Sequence, residues 1–234
     1  MTRERVQMIA PKQVAAPVSD AQGVVASLER EARPLERTDS QSPSKIYPVA
    51  KRGLDVFVAL VAIPLTAPIV LLCLVASALS TRSWPLLAQT RVGQDGRLFK
   101  MYKIRTMRPD VQIPPGSCPK LPDDPRVTRV GRFFRKTSID ELPQLWNVLI
   151  GNMTLVGPRP ALPEIAALYK PWQYERLAVQ QGMTGWWQVM WRSEKPLHEA
   201  AEDDIYYVRN RCLKLDVQIL WRTVGSVLRG RGAF

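Results

Sequence analysis

Two adjacent carboxylates, Asp140 and Glu141, are the residues whose type and spacing could do chemistry. A carboxylate can attack phosphorus to give an acyl phosphate, and a pair of them offers the hard oxygen ligands that suit Mg²⁺. Downstream, Arg159 stands between prolines in Gly157-Pro158-Arg159-Pro160, and the second proline pushes it towards an extended conformation. A guanidinium fixed in this way can grip a phosphate through two parallel hydrogen bonds. Lys103 and Arg105 lie two apart, hence on one face of a strand, where they are reasonable phosphate binders. Each feature also has a bland reading. Acids in a first helical turn are usually caps, an arginine beside prolines is usually a surface turn, and a strand lysine is often plain surface charge.

The acid pair needs an element to hold it. Leu142, Leu145, Trp146 and Leu149 recur at helical spacing and make one apolar face, and the helix is expected to end near Gly151. Ser138 followed by Glu141 reads as a capping box. Pro143 disputes this, since it fits only a first turn; a helix that starts at Asp140 puts it at the third position and removes the conflict, and with either start both acids lie at the positive end of the dipole. Arg135 and Lys136 nearby in sequence favour an ionised Asp140 at neutral pH.

Lys and Arg number 33 against 21 Asp and Glu, a net charge of +12, which suits a partner carrying phosphates. Three scattered cysteines, Cys73, Cys118 and Cys212, give neither a disulfide framework nor zinc spacing. A single histidine, His198, excludes any mechanism that needs two. Residues 1–44 have no apolar run and carry Pro11, Pro17, Pro34 and Pro43, so they read as a disordered cytosolic tail without a signal peptide.

Val56 to Leu79 is a run of 24 residues interrupted only by Thr66 and Ser77 among polar types, long enough to cross a bilayer. Hydropathy alone favours a spanning helix. Pro64 and Pro68 lie within the run, however, and basic residues flank both ends: Lys45, Lys51 and Arg52 before, Arg82, Arg91 and Arg97 after. A spanning segment cannot put both flanks on the cytoplasmic side, whereas one that enters, breaks and returns does so. Next, the stretch from Leu86 to Met107 reads as a hairpin turning at Gln94-Asp95-Gly96. Between Ser80 and Lys136 thirteen Lys or Arg face four Asp or Glu, a local +9, which beside a membrane segment should draw anionic headgroups and phosphate ligands. Pro109 to Pro125 holds six prolines and reads as a loop, a candidate flap over the site. Near the end Leu213, Val217, Leu220, Trp221, Val224 and Leu228 line one helical face flanked by Arg222, Arg229 and Arg231. That helix suits a membrane surface, and packing on the core is the equal alternative.

The stretch from Ser138 to Pro160, SIDELPQLWNVLIGNMTLVGPRP, closely resembles the pattern of the bacterial sugar transferase family, the monotopic polyprenyl-phosphate phosphoglycosyl transferases. Lys51, Arg52 and Asp55 match its K-R-x-x-D, and Pro68 falls where that family breaks its membrane helix, with Ala67 in place of a serine and Thr66 as a substitute. Gln89, Arg91, Gly93, Phe99, Lys103, Arg105, Thr106 and Met107 match a second motif. Thr184, Gly185, Gln188, Val189 and Arg192 match a third, near the sugar or nucleotide, where Gln180, Gln181 and Met190-Trp191 depart from the pattern. Asp204, Tyr207, Val208 and Asn210 follow a fourth.

The resemblance implies a mainly α fold with a small β-hairpin: a re-entrant helix-break-helix at 45–80 broken at Pro68, and a cytosolic catalytic domain at 81–234 with amphipathic interfacial helices. It implies transfer of a sugar-1-phosphate from a nucleotide diphosphate sugar, a UDP-sugar first, to polyprenyl (undecaprenyl) phosphate. This would be the first membrane step of exopolysaccharide, capsule, O-antigen or glycoprotein glycan assembly. Asp140 is implied as nucleophile, with Glu141 supporting Mg²⁺ or a proton and both acids as metal ligands. Lys103, Arg105, Arg159 and Gln188 are the substrate-binding candidates. The expected location is the cytoplasmic face of the bacterial inner membrane, with downstream glycosyltransferases as partners, a homodimer left open and no nucleic acid. The competing class is a non-catalytic, membrane-anchored basic protein that holds nucleic acid or anionic lipid; it gives no reason for adjacent acids amid basic surface.

Overall fold

The computed structural model describes residues 46–111, 124–190 and 200–228. The expected tail, most of the proline-rich loop, Cys118, Trp191, Arg192, His198, Arg229 and Arg231 lie outside them.

Helix α1, Tyr47–Thr81, is the longest element, and by length and composition it is the one described helix able to cross a membrane. It runs as one helix through Pro64 and Pro68, so the expected interruption at Pro68 is absent from its secondary structure. A proline removes one amide donor, and the turns either side retain theirs. The Thr66 hydroxyl also donates to the carbonyl of Ala62, 2.7 Å away. The middle of α1 is bare, with Leu65 71% and Leu72 73% exposed. Its two ends are not. Asp55 accepts hydrogen bonds from Thr154 Oγ1 and the Leu155 amide. Arg52 donates to the carbonyls of Val148 and Leu149, and Ser77 Oγ donates to the Arg105 carbonyl at 2.6 Å. Both ends are therefore tied to one globular body.

That body holds an antiparallel hairpin, β1 (Leu86–Val92) and β2 (Leu98–Ile104), in register from Leu86 opposite Ile104 to Val92 opposite Leu98. A 3₁₀ turn, Gln94–Gly96, joins them where the sequence placed the turn. Helix α2 (Arg129–Thr137), a 3₁₀ turn (Ile139–Glu141) and helix α3 (Gln144–Leu149) follow. Strand β3 (Thr154–Val156) pairs in parallel with β4 (Gly182–Thr184). Between them lie the short helix α4 (Pro163–Ala166) and a 3₁₀ segment, Pro171–Leu177. Helices α5 (Trp186–Met190), α6 (Ala200–Asn210) and α7 (Leu213–Leu228) complete the fold. The core joins Ala59 of α1 to Met101, Leu145, Val148, Met153, Leu155, Val156, Tyr207 and Ile219. The architecture is mostly helical with a small hairpin, as expected; the parallel pair β3–β4 is additional.

Helix α7 presents two apolar faces. Ile219 is fully buried and Leu215 and Leu220 pack on the core, whereas Val217, Trp221 and Val224 stand exposed in a stripe. Leu220 therefore belongs to the core side and not to the outward face.

Candidate active site

Ser138 sits in the left-handed region (φ 58°), where it closes α2; its side chain makes no capping bond to the turn that follows, whose Glu141 amide donates to the Ser138 carbonyl. The expected capping box does not form. Asp140 and Glu141 lie in the 3₁₀ turn, and Pro143 occupies the N-cap position of α3, so the helix begins later than its acids. A backbone already committed to ending α2 cannot also present the Ser138 hydroxyl as a cap.

The acid pair is fixed from three directions. Lys103 Nζ, from β2, donates to Glu141 Oε1 at 2.8 Å, and Arg159 Nη2 donates to the same oxygen at 3.0 Å. Asn147 sets the first contact. Its Oδ1 accepts from the Tyr102 amide and its Nδ2 donates to the Lys100 carbonyl, which locks α3 to the strand that carries Lys103. The β3–β4 ladder sets the second, because the Gly157 amide donates to the Thr184 carbonyl and the Gly182 amide to that of Pro158. Close approach requires glycine here: a Cβ on Gly182 would lie 2.1 Å from the Gly157 nitrogen. The third direction is α2, where Arg135 Nε donates to Thr106 Oγ1 at 2.9 Å and adds its charge near Asp140.

The two acids differ in state. Burial alone would raise Glu141, but the charges of Lys103 and Arg159 outweigh it and hold the carboxyl well below the usual range. Burial lowers Lys103 against the pull of Glu141, while Glu141 raises Arg159. Asp140 accepts no hydrogen bond or ion pair from any described residue. Burial, reinforced by the charge of Glu141, pushes it up from 3.8 to about 6, against Lys103, Arg135 and Arg159. It is still ionised at neutral pH, but its cationic neighbours do not dominate as its sequence surroundings suggested, and Lys136 is exposed.

The remaining candidates are dispersed. Arg105 Nε donates to the Trp84 carbonyl at 2.8 Å and does not reach the acids. Gln188 Nε2 donates to the Met183 carbonyl, bracing the turn from β4 into α5, while its Oε1 is buried without a partner among the described residues. Sequence reasoning passed over a buried support for Arg159. Arg176 pairs with Asp204, stacks over the Tyr169 ring and donates to the Arg159 carbonyl. Burial pushes Asp204 up to about 6 even so. The fourth motif marked Asp204, but nothing local named Arg176 as its partner.

No group of three or more His, Cys, Asp or Glu side chains gathers to hold a metal among the described residues. Both Asp140 oxygens and Glu141 Oε2 are nonetheless free of hydrogen bonds from described residues. That donor set fits a Mg²⁺ ion shared with substrate phosphates, not one held by protein alone.

Residues 46–230 match the family model described as bacterial sugar transferase, and the chain belongs to that family. It is 39% identical over 196 residues to a galactosyl transferase, CpsE, of Streptococcus agalactiae, an alignment covering 79% of this chain and 43% of that protein. It is 39% identical over 197 residues to the UDP-N-acetylgalactosamine-undecaprenyl-phosphate N-acetylgalactosaminephosphotransferase of Aeromonas hydrophila, covering 82% and 46%. With the exopolysaccharide production protein PSS of Rhizobium leguminosarum the figures are 38% over 196 residues, covering 79% and 98%. The chain thus spans less than half the length of the first two relatives and nearly all of the third.

Proposed function

We propose that the chain transfers a sugar-1-phosphate from a nucleotide diphosphate sugar, a UDP-sugar first, to polyprenyl phosphate, opening the assembly of an exopolysaccharide or capsule. The observation that carries this is the pairing of an unbonded carboxylate, Asp140, with a neighbour, Glu141, held by two cations. An oxygen of Asp140 attacks the phosphorus next to the sugar, the bond from that phosphorus to the bridging oxygen breaks, and nucleoside monophosphate leaves with the electron pair. The lipid phosphate oxygen then attacks the same phosphorus, which frees the Asp140 carboxylate and gives a polyprenyl diphosphate sugar. Lys103 and Arg159 offset the negative charge gathered at the phosphates and orient Glu141. Asp140 and Glu141 would hold Mg²⁺ against the diphosphate, where the ion screens charge.

The catalytic body lies on the cytoplasmic face of the inner membrane, with α1 re-entrant and bent at its prolines. Support comes from Asp55 and Ser77, near opposite ends of α1, being bonded to the same body. Cysteine labels placed at Lys51 and Arg82 would both be shielded from outside intact cells; labelling of one alone would establish a spanning helix.

The test of function is release of UMP from a panel of UDP-sugars by the purified chain with polyprenyl phosphate and Mg²⁺. Activity should vanish in EDTA and return with Mg²⁺. Full activity in EDTA would remove the metal, and no release from any donor would remove the transfer.

A further inference from the structure

Among the described residues near the acid pair, the cations differ in how directly their charge is met. Lys103 and Arg159 share Glu141, and Arg176 has Asp204. Arg135 lies beside Asp140. Arg91 has Glu141 and Glu164 only at a distance, without a contact. It stands on β1 next to Val92, whose amide donates to the Ala161 carbonyl and so joins β1 to the segment carrying Arg159. Its Nη1 donates to the Pro160 carbonyl at 3.2 Å and its Nη2 to Gln89 Oε1 at 2.6 Å. Its Nε is buried with no partner, and it forms no ion pair with any described carboxylate. Burial and the nearby Arg159 push its guanidinium down to about 10. Bracing Pro160 would need only a neutral donor. A half-buried charge without a contacting counter-ion is costly to keep and is expected where a ligand supplies the missing contact.

We propose that Arg91 binds the phosphate on the nucleoside side of the donor, the group that leaves as nucleoside monophosphate. The assignment to that phosphate rests on the transfer reaction above and on position. Lys103 and Arg159 contact Glu141, beside the Asp140 that takes the sugar-side phosphorus. Arg91 contacts neither acid and is joined instead to the Pro160 carbonyl, one residue past Arg159. When the bridging bond breaks, the nucleoside-side phosphate goes from one negative charge to two, while Asp140 loses its own. A cation not already matched by protein is what that new charge needs.

The experiment uses the full chain in detergent, with UMP as the probe, and compares wild type, Arg91→Gln and Arg91→Lys. Calorimetry should show UMP affinity lowered about ten- to a hundredfold in the glutamine variant, with partial recovery in the lysine variant. In-line displacement brings the lipid phosphate in on the side from which the nucleoside phosphate leaves, so the second half-reaction should slow in the glutamine variant as well and recover in part in the lysine variant. Wild-type UMP affinity in Arg91→Gln would overturn the assignment. A loss of UMP affinity as large in Arg91→Lys as in Arg91→Gln would also overturn it, because the charge would then not matter and Arg91 would act only by propping Pro160 and Arg159. A wild-type chain that binds neither UMP nor UDP would overturn the transfer reaction itself, an outcome seen without any variant.

Discussion

Asp216 and Glu141 each accept bonds from several donors, yet the two places are built differently. Asp216 is buried where the start of α1 meets α6 and α7. Lys51 Nζ and the Tyr47 hydroxyl donate to its Oδ2, both at 2.9 Å, and the Tyr207 hydroxyl donates to its Oδ1 at 2.7 Å. Both oxygens are used and Lys51 is matched. At Glu141 a single oxygen takes both Lys103 and Arg159, Asp140 beside it accepts nothing from the described residues, and Arg91 makes no ion pair with any of them. A closed knot of this kind fastens helices. An open one, with spare charge and a spare carboxylate, waits for something that brings phosphates.

The difference can be broken from either side. Asp216→Ala leaves Lys51 without its counter-ion and takes from Tyr47 and Tyr207 the acceptor they share, and should cost about 3–5 kcal/mol of stability. Thermal unfolding in detergent would register the loss, while turnover per folded molecule should hold; a fall in turnover without a fall in stability would make the knot part of the site. Glu141→Gln should do the reverse, lowering turnover by about two to three orders of magnitude with a smaller change in unfolding temperature.

Two finer effects concern Asp140. Because its carboxyl is raised to about 6 in the metal-free chain, carboxyl NMR of that chain should show Asp140 titrating there, and Mg²⁺ should move the titration to lower pH. In metal-free Glu141→Gln it should also fall lower, since the neighbouring negative charge is gone; an unmoved titration would assign it to another group. The same raised value means that ionising Asp140 opposes folding. The penalty begins above the ordinary 3.8 and is complete above about 6. Asp140→Asn should therefore unfold at a slightly higher temperature than wild type at pH 7, and the gap should close as the pH drops below 4. A lower unfolding temperature at pH 7 would mark Asp140 as a structural residue like Asp216.

What the sequence disclosed was local. Asp140, Glu141, Lys103 and Arg159 stand in short motifs, and the structure brings those four together. The apolar length of α1 was plain from hydropathy, and the hairpin turn from Gln94-Asp95-Gly96. The start of α3 was misplaced because Ser138 takes a left-handed conformation that no periodicity reveals. Strands β3 and β4 have three residues each, too short for alternation to register. Asn147, Arg176 and the role of Arg91 were hidden for another reason. Each acts on chain distant in sequence, as when Asn147 reaches Lys100 across 47 positions, and side-chain pairing at that range follows from packing alone.

The most direct measurement is the mass of the protein after exposure to a UDP-sugar with Mg²⁺ and without lipid acceptor. Covalent transfer through Asp140 predicts a gain of one sugar phosphate, on the peptide that contains Asp140, labile to hydroxylamine and absent from Asp140→Asn, which should also make no product. An Asp140→Asn variant that still turns over at a substantial rate would contradict it, and would leave the lipid phosphate as the direct attacking group.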